Sequence, residues 1–170
     1  QNYTANLQQC SGVTGGTETF NFTNICGAPS GQGTLTVRYS GDLGSTGEYL
    51  VLRDENGVQM GTNLGPTGFP DCTVADSQTI TIPLGNLASW ASDGTITFTV
   101  TAQNSVNNFC NCGIATAGNT QKSFTANMTI DFPFTNSPNN AGATSIDSLT
   151  NKCPGTNPMY AKIINAGNNA

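Results

Sequence analysis

The sequence predicts an all-β fold, an antiparallel β-sandwich of jelly-roll or immunoglobulin-like type stapled by disulfides. Short runs in which apolar and polar residues alternate recur along the chain, as expected of half-buried strands. Clusters of Gly, Pro, Asn and Asp separate these runs, and no long stretch has the period of a helix. The length of 170 residues is that of one domain. We therefore expect a single β-sandwich over 1–170, with 1–17 and 156–170 as terminal arms or donor strands.

The stretch 79–100 shows the pattern most clearly. Residues 79–82 read TITI and residues 95–100 read TITFTV, so an apolar residue alternates with Thr in both runs. Between them, apolar residues recur at near-helical spacing, which predicts a short helix, and Asp93-Gly94 forms the turn that begins the second strand. We expect Trp90, the only tryptophan, to close one end of the core.

Further alternating runs predict the remaining strands. They lie at 3–7, 18–25, 34–39, 48–53, 58–60, 123–132 and 159–164. Asn56-Gly57 lies between two of these runs and predicts a tight hairpin, because both residues tolerate positive φ. Pro133 predicts the end of the strand at 123–132, since proline cannot donate to a β-ladder.

The composition excludes two classes of partner. Only 9% of the residues are charged, five are Lys or Arg, and the net charge is −5. Such a chain has no basic patch for phosphates, which argues against binding to nucleic acid or anionic membranes. No apolar run reaches the roughly 20 residues that span a bilayer, so we expect no membrane insertion. A polar surface of hydroxyl and amide groups suits a secreted protein at the cell surface.

The six cysteines predict a disulfide framework, because they are even in number and no histidine accompanies them. They are Cys10, Cys26, Cys72, Cys110, Cys112 and Cys153. Zinc is disfavoured, since the one close pair, Cys110 and Cys112, lacks the spacing of a zinc knuckle. Sequence does not distinguish among the fifteen pairings that six cysteines allow. We expect Cys110 and Cys112 to bond to different partners.

The sequence gives little support to catalysis. Without histidine, Ser-His-Asp and Cys-His nucleophile systems are absent. A glycosidase that uses two carboxylates is a weaker hypothesis, because acids crowd residues 42–76 but those at hairpin turns are usually solvated. We predict that the chain is not an enzyme and requires no cofactor.

The same acids predict a Ca²⁺ site, since hard cations take carboxylate ligands from the loops of extracellular β-sandwiches. The candidate ligands are Asp42, Glu48, Asp54 and Asp71. Their spacing matches no EF-hand. Glycosylation is a separate prediction and concerns the Asn-x-Thr triplets at Asn2, Asn21 and Asn127.

Part of the chain resembles a known kind of module. The motifs are Gly41-Asp42-Leu43, Glu48, the run 52–57, Cys72, the run 79–83, Trp90-Ala91, the run 93–98 and the run 106–110. Together they resemble a β-sandwich module of large secreted and cell-surface proteins of Bacteroidetes, over roughly 33–132. The resemblance implies an extracellular adhesive or accessory domain, sometimes joined to enzymes, and it carries over no catalytic residues.

Our first functional hypothesis is an extracellular structural or adhesive subunit that self-assembles into a surface filament or matrix. An unpaired sheet edge and an extended donor strand satisfy each other's backbone groups. The donor would be Tyr3, Ala5 and Leu7, or else Tyr160, Ile163 and Ile164. The alternative is a carbohydrate-binding, lectin-like module that uses exposed aromatic rings and has glycans as partners. Its candidate rings are Tyr3, Tyr49, Phe69, Phe109 and Tyr160.

Overall fold

The alternating runs of the sequence form two antiparallel sheets in the computed structural model, which describes residues 1–65, 71–72, 76–108, 110–111 and 121–136. The predicted all-β, two-sheet fold is confirmed. The strands are β1 (Asn2–Ser11), β2 (Thr17–Phe22), β3 (Gly27–Pro29), β4 (Gly33–Gly41), β5 (Leu50–Arg53), β6 (Asp76–Ile82), β7 (Ile96–Ala102), β8 (Cys110–Asn111), β9 (Gln121–Lys122) and β10 (Phe124–Asn136). The helix α1 (Leu84–Trp90) lies between β6 and β7. No helix among the described residues is long and apolar enough to cross a membrane.

The larger sheet has the strand order β1-β10-β4-β6, and β3 pairs with the last residues of β10. Strand β1 pairs with β10 over its whole length, from Asn2 opposite Pro133 to Ser11 opposite Phe124. Within the described part of the chain, β1 and β6 are the edge strands of this sheet. The N-terminal run is therefore a sheet strand.

The core lies between the larger sheet and a second sheet of order β2-β7-β5. Alternation places every second residue of each strand inward. In β7, Ile96, Phe98 and Val100 are fully buried, as the sequence predicts. Strand β10 contributes Phe124, Ala126, Met128 and Ile130 to the same core.

The bridge between β6 and β7 closes one end of this core. Helix α1 buries Leu87 and Trp90, and a 3₁₀ turn, Ala91–Asp93, follows it. Gly94 then adopts φ 84°, a left-handed conformation that glycine takes without strain. The indole ring of Trp90 meets the ring of Phe98 edge-on, with the ring centroids 5.8 Å apart. Trp90 therefore closes this end of the core, as expected.

Several strand bounds differ from the sequence prediction, most notably at Pro133 and at 58–60. Strand β10 continues through Pro133 to Asn136, because at this point its pairing passes from β4 to β3. The carbonyl of Pro133 accepts a hydrogen bond of 2.9 Å from the backbone N–H of Ser30, and this bond needs no proline N–H. The return strand at 58–60 is reduced to an isolated bridge between Arg53 and Gln59.

Candidate metal centre

Three of the four predicted calcium ligands converge at one end of the sandwich. Asp42 follows β4, Glu48 precedes β5, and Asp71 lies beside Cys72 in the loop before β6. One carboxylate oxygen from each lies within 4.8 Å of the other two. Asp42 and Glu48 are each only 9% exposed, whereas Asp71 is exposed. Carboxylates up to 29 residues apart in the sequence thus form one cluster, which we call the acidic triad.

Backbone N–H groups orient each carboxylate of the acidic triad. Asn107 donates to Asp42 Oδ2 at 2.9 Å, and Ser45 donates to Glu48 Oε2 at 2.6 Å. The N–H groups next to Asp42 bind the third acid, because Leu43 and Gly44 donate to Asp71 Oδ1 at 2.9 and 2.5 Å. Within the described residues, the second oxygen of each carboxylate has no hydrogen-bond donor. Each carboxylate thus has one oxygen that no described hydrogen-bond donor occupies.

The loop that carries Asp71 is held by its neighbour Cys72. The backbone N–H of Cys72 donates to the carbonyl of Gly41 at 2.9 Å, and its sulfur is bonded to Cys110 with the two Cα atoms 5.1 Å apart. A Cβ atom on Gly44 would lie 2.6 Å from Asp71 Oδ1. Glycine at position 44 is thus what allows Asp71 to approach the backbone this closely.

The charge of the three carboxylates makes the acidic triad a candidate cation site. No described Lys or Arg forms an ion pair with any of the three carboxylates. Two like charges about 4 Å apart repel by roughly 1 kcal/mol in water and by about 4 kcal/mol near a protein surface. A divalent cation between the three oxygens replaces this repulsion with attraction, and oxygen ligands from loops are those that Ca²⁺ takes.

Asp54, the fourth predicted ligand, lies outside the acidic triad. Its Oδ1 accepts hydrogen bonds from the backbone N–H groups of Asn56 and Val58, at 3.0 and 2.8 Å. This carboxylate closes the turn after β5. The set predicted from sequence is therefore reduced to three side chains.

Sequence reasoning missed the backbone groups that hold the acidic triad. These are the N–H groups of Leu43, Gly44, Ser45 and Asn107. Backbone donors leave no side-chain signature. Gly44 is the exception, because a glycine two residues after Asp42 indicates a close approach of the backbone.

The other predicted site residues are distributed over the fold. Tyr3, Ala5 and Leu7 lie in β1 and pack, half-buried, against the core. The half-buried ring of Tyr3 stacks on that of Phe132. Tyr49 is half-buried. The remaining aromatic and C-terminal donor candidates lie outside the described residues; they are Phe69, Phe109, Tyr160, Ile163 and Ile164.

Two of the three predicted glycosylation sites have exposed side chains, Asn2 and Asn21. The amide of Asn127 is half-buried and exchanges two hydrogen bonds with Asn6, at 2.8 and 3.1 Å. A glycan on Asn127 would therefore have to break this pair. The predicted site at Asn127 is the least accessible of the three.

A disulfide is present between Cys72 and Cys110, so Cys110 does not bond to its neighbour Cys112. Cys10 and Cys26 are also disulfide-bonded. Cys112 and Cys153 lie outside the described residues. Disulfides of this kind are compatible with an extracellular protein.

No family model matches the chain, and no curated protein is significantly similar to it.

Proposed function

We propose that the chain is an exported structural or adhesive subunit that assembles into a surface filament or matrix by strand complementation. It would be a β-sandwich module of the kind found in secreted and cell-surface proteins of Bacteroidetes. The observation that carries the proposal is the position of β1: an N-terminal strand, at the edge of the larger sheet, that pairs with β10 through ten residues. We infer that the part of β1 before Cys10, which is itself held by a disulfide, is exchanged between subunits.

The contacts of β1 are of a kind that a second copy can reproduce. Ladder hydrogen bonds join it to β10, and Tyr3, Ala5 and Leu7 cover the core only partly. On the outer face, Asn6 donates to Thr129 Oγ1 at 2.7 Å. Because an identical strand from a neighbour makes identical contacts, the exchange changes little in contact energy and links the subunits.

If β1 left the sheet, its partner β10 would readily accept a replacement strand. Without β1, β10 would present unpaired N–H and C=O groups beside the side chains of Met128, Ile130 and Phe132, which are now buried. An exposed edge of this kind is a template for another strand.

The test of this proposal is a variant in which β1 cannot leave its sheet. Asn6 and Thr129 lie directly opposite each other, so Asn6→Cys with Thr129→Cys should form a disulfide that locks β1 in place. We expect the wild type to form polymers that persist at high salt, and the oxidised variant to stay at 17.6 kDa by light scattering. The matched control, Asn6→Ser with Thr129→Ser, should polymerise like the wild type. Polymerisation of the locked variant, or a wild type that remains monomeric at high concentration, would overturn the proposal.

The acidic triad supports a second proposal, that the subunit binds one Ca²⁺ ion. The observation that carries it is the convergence of Asp42, Glu48 and Asp71 within 4.8 Å without a compensating cationic side chain among the described residues. Bound Ca²⁺ would join the β4–β5 loop, which carries Asp42 and Glu48, to the loop of Asp71. We expect a dissociation constant of about 10⁻⁴–10⁻³ M, which is common for extracellular modules.

Calcium titration by calorimetry and by thermal unfolding tests this second proposal. Ca²⁺ at about 100 times its dissociation constant should raise the unfolding free energy by about 2.7 kcal/mol. Asp42→Asn and Glu48→Gln should abolish the response. Asp54→Asn is the matched control, because it removes a buried acid outside the acidic triad and should leave the response intact. An equal response in all four proteins would show that the ion binds elsewhere.

A further inference from the structure

Positions along β10 show which cysteines lie too far apart to be bonded to each other. Cys10 lies opposite Thr125, near the start of β10, whereas Gly27, the neighbour of Cys26, lies opposite Asn136 at its end. Eleven residues separate these two positions, which is about 36 Å along a strand. A disulfide needs Cα atoms within about 7 Å. Cys26 and Cys10 therefore cannot be bonded to each other.

Cys112 is also confined to the Cys10 end of the sheet. It follows Cys110 by two residues, so at most about 7 Å of chain separates them. Cys110 is bonded to Cys72 and pairs with Lys122, just before β10 begins. The side-chain amide of Asn108, two residues before Cys110, donates to the carbonyl of Gly12 at 2.6 Å. Cys112 is thus tethered near Cys10 and cannot reach Cys26.

Every described cysteine is bonded, and Cys26 is among those in disulfides. With Cys10, Cys72, Cys110 and Cys112 eliminated, one partner remains. We propose that Cys26 is bonded to Cys153, and that this bond seats the apolar segment 159–164 in the groove beside Cys26. The same elimination pairs Cys10 with Cys112.

Chain length permits the bond. Asn136 lies opposite Gly27 in the β3–β10 pair, so the chain leaves β10 next to Cys26. Seventeen residues then lead to Cys153, which is ample to turn back over so short a distance. Formation of the bond joins two Sγ atoms and releases two protons and two electrons. A disulfide-bearing oxidant of the export compartment accepts these and becomes a dithiol.

The groove itself has the shape to receive an apolar segment. It has a volume of about 450 Å³ and lies between β3 and the α1–3₁₀ bridge. Most of its lining side chains are small, which allows an extended backbone to come close. The lining includes Ile25, Cys26, Ala28, Ala88, Ala91 and Thr135.

The chain beyond the described residues contains a segment that matches this groove. Residues 159–164 read MYAKII, and they begin six residues, or about 20 Å of reach, after Cys153. A tether of this length holds the segment close to the groove at high effective concentration. The segment would then be held within its own subunit, which leaves β1 as the terminal strand available for exchange.

Peptide mapping without reduction tests the pairing. Cleavage after Lys and Arg, and after Glu, separates Cys10 (in 1–18) from Cys26 (in 19–38) and releases Cys153 in 153–162. We expect 19–38 to be linked to 153–162, and 1–18 to be linked to 56–122. A link from 19–38 to either 1–18 or 56–122 would overturn the proposal.

Hydrogen exchange of the full chain tests the seating. Ile163→Asp with Ile164→Asp should release the segment and speed amide exchange in α1 and at 25–28 about tenfold. The matched control, Asn168→Asp with Asn169→Asp, adds the same charge beyond the segment and should leave exchange unchanged. Equal exchange rates in both variants would show that 159–164 does not occupy the groove. Protection of these amides that falls when the protein is diluted would show that a second copy occupies the groove instead. None of these outcomes depends on whether β1 is exchanged, so the two proposals fail separately.

Discussion

The aromatic ring of Tyr3 stacks on that of Phe132, with ring centroids 5.1 Å apart and planes inclined by 28°. This contact fastens the first residues of β1 to β10. The Tyr3 hydroxyl adds a hydrogen bond of 2.8 Å to the carbonyl of Thr23, just beyond β2. One side chain therefore connects the edge strand to both sheets.

Tyr3→Ala is expected to lower the unfolding free energy by about 1–3 kcal/mol, because it removes both the ring stacking and the hydrogen bond. Tyr3→Phe keeps the ring and should lose only about 1 kcal/mol. Urea unfolding of the two variants and the wild type measures the difference. Equal losses in both variants would mean that the ring contact contributes nothing to stability.

Alkaline pH should destabilise the protein through Tyr3. Burial raises the pKa of the Tyr3 phenol above its ordinary value of 10.0. The unfolded chain then ionises first as the pH rises, so stability is full below pH 10 and declines between that value and the higher pKa of the folded state. Tyr39, whose phenol pKa burial also raises, contributes in the same direction.

Comparison of Tyr3→Phe with the wild type isolates the part due to Tyr3. Urea midpoints measured from pH 8 upward should fall more steeply in the wild type. Parallel pH profiles would show that Tyr3 ionises equally well in both states.

Gly44→Ala is expected to weaken Ca²⁺ binding at least tenfold, which is about 1.4 kcal/mol. The added methyl group would overlap the carboxylate of Asp71 and push it away from Asp42 and Glu48. Calorimetric titration measures the change. Gly85→Ala in α1 is the control, because nothing lies within 4 Å of its Cβ position. It should bind Ca²⁺ normally and gain up to about 1 kcal/mol of helix stability. An unaltered affinity in Gly44→Ala would exclude Asp71 as a ligand.

Removal of the disulfide between Cys72 and Cys110 should affect stability and calcium binding together. The bond spans 38 residues, and a loop of that length contributes roughly 3–4 kcal/mol in the chain-entropy account. The double variant Cys72→Ser with Cys110→Ser should therefore unfold at lower urea. Because Cys72 is next to Asp71, it should also bind Ca²⁺ more weakly. A stability loss without any change in calcium affinity would show that hydrogen bonds alone hold Asp71.

The strands were predictable from sequence where one face of a sheet is buried, because a period of two is then imposed on the residues. This holds for β7, whose inward residues Ile96, Phe98 and Val100 alternate with Thr. Rules based on local sequence failed to predict a strand's end where pairing with a neighbouring strand determines it. Pro133 reads as a strand end, yet β10 continues because its carbonyl still finds the Ser30 N–H.

The acidic triad was predictable only in part for a related reason. Asp54 and Asp42 have the same side chain, but the carboxylate of Asp54 accepts hydrogen bonds from the N–H groups of its own turn. The convergence of Asp42 with Asp71 depends on loops brought together by the fold and by the Cys72–Cys110 bond. No local pattern reports such a long-range contact.

The antiparallel pairing of β1 with β10 also decides how the subunit would respond to mechanical load. Gln1 and Phe134 lie side by side, so the start of β1 and the last part of β10 lie at the same end of their ladder. A pull between them would open the ladder one residue pair at a time, from Asn2 onward, and would not shear all of its bonds at once. Peeling would stop at Cys10, which is fixed by a disulfide. Strand β1 would therefore act as a short extensible tether, lengthening under modest force while the covalent bond behind it protects the rest of the sandwich.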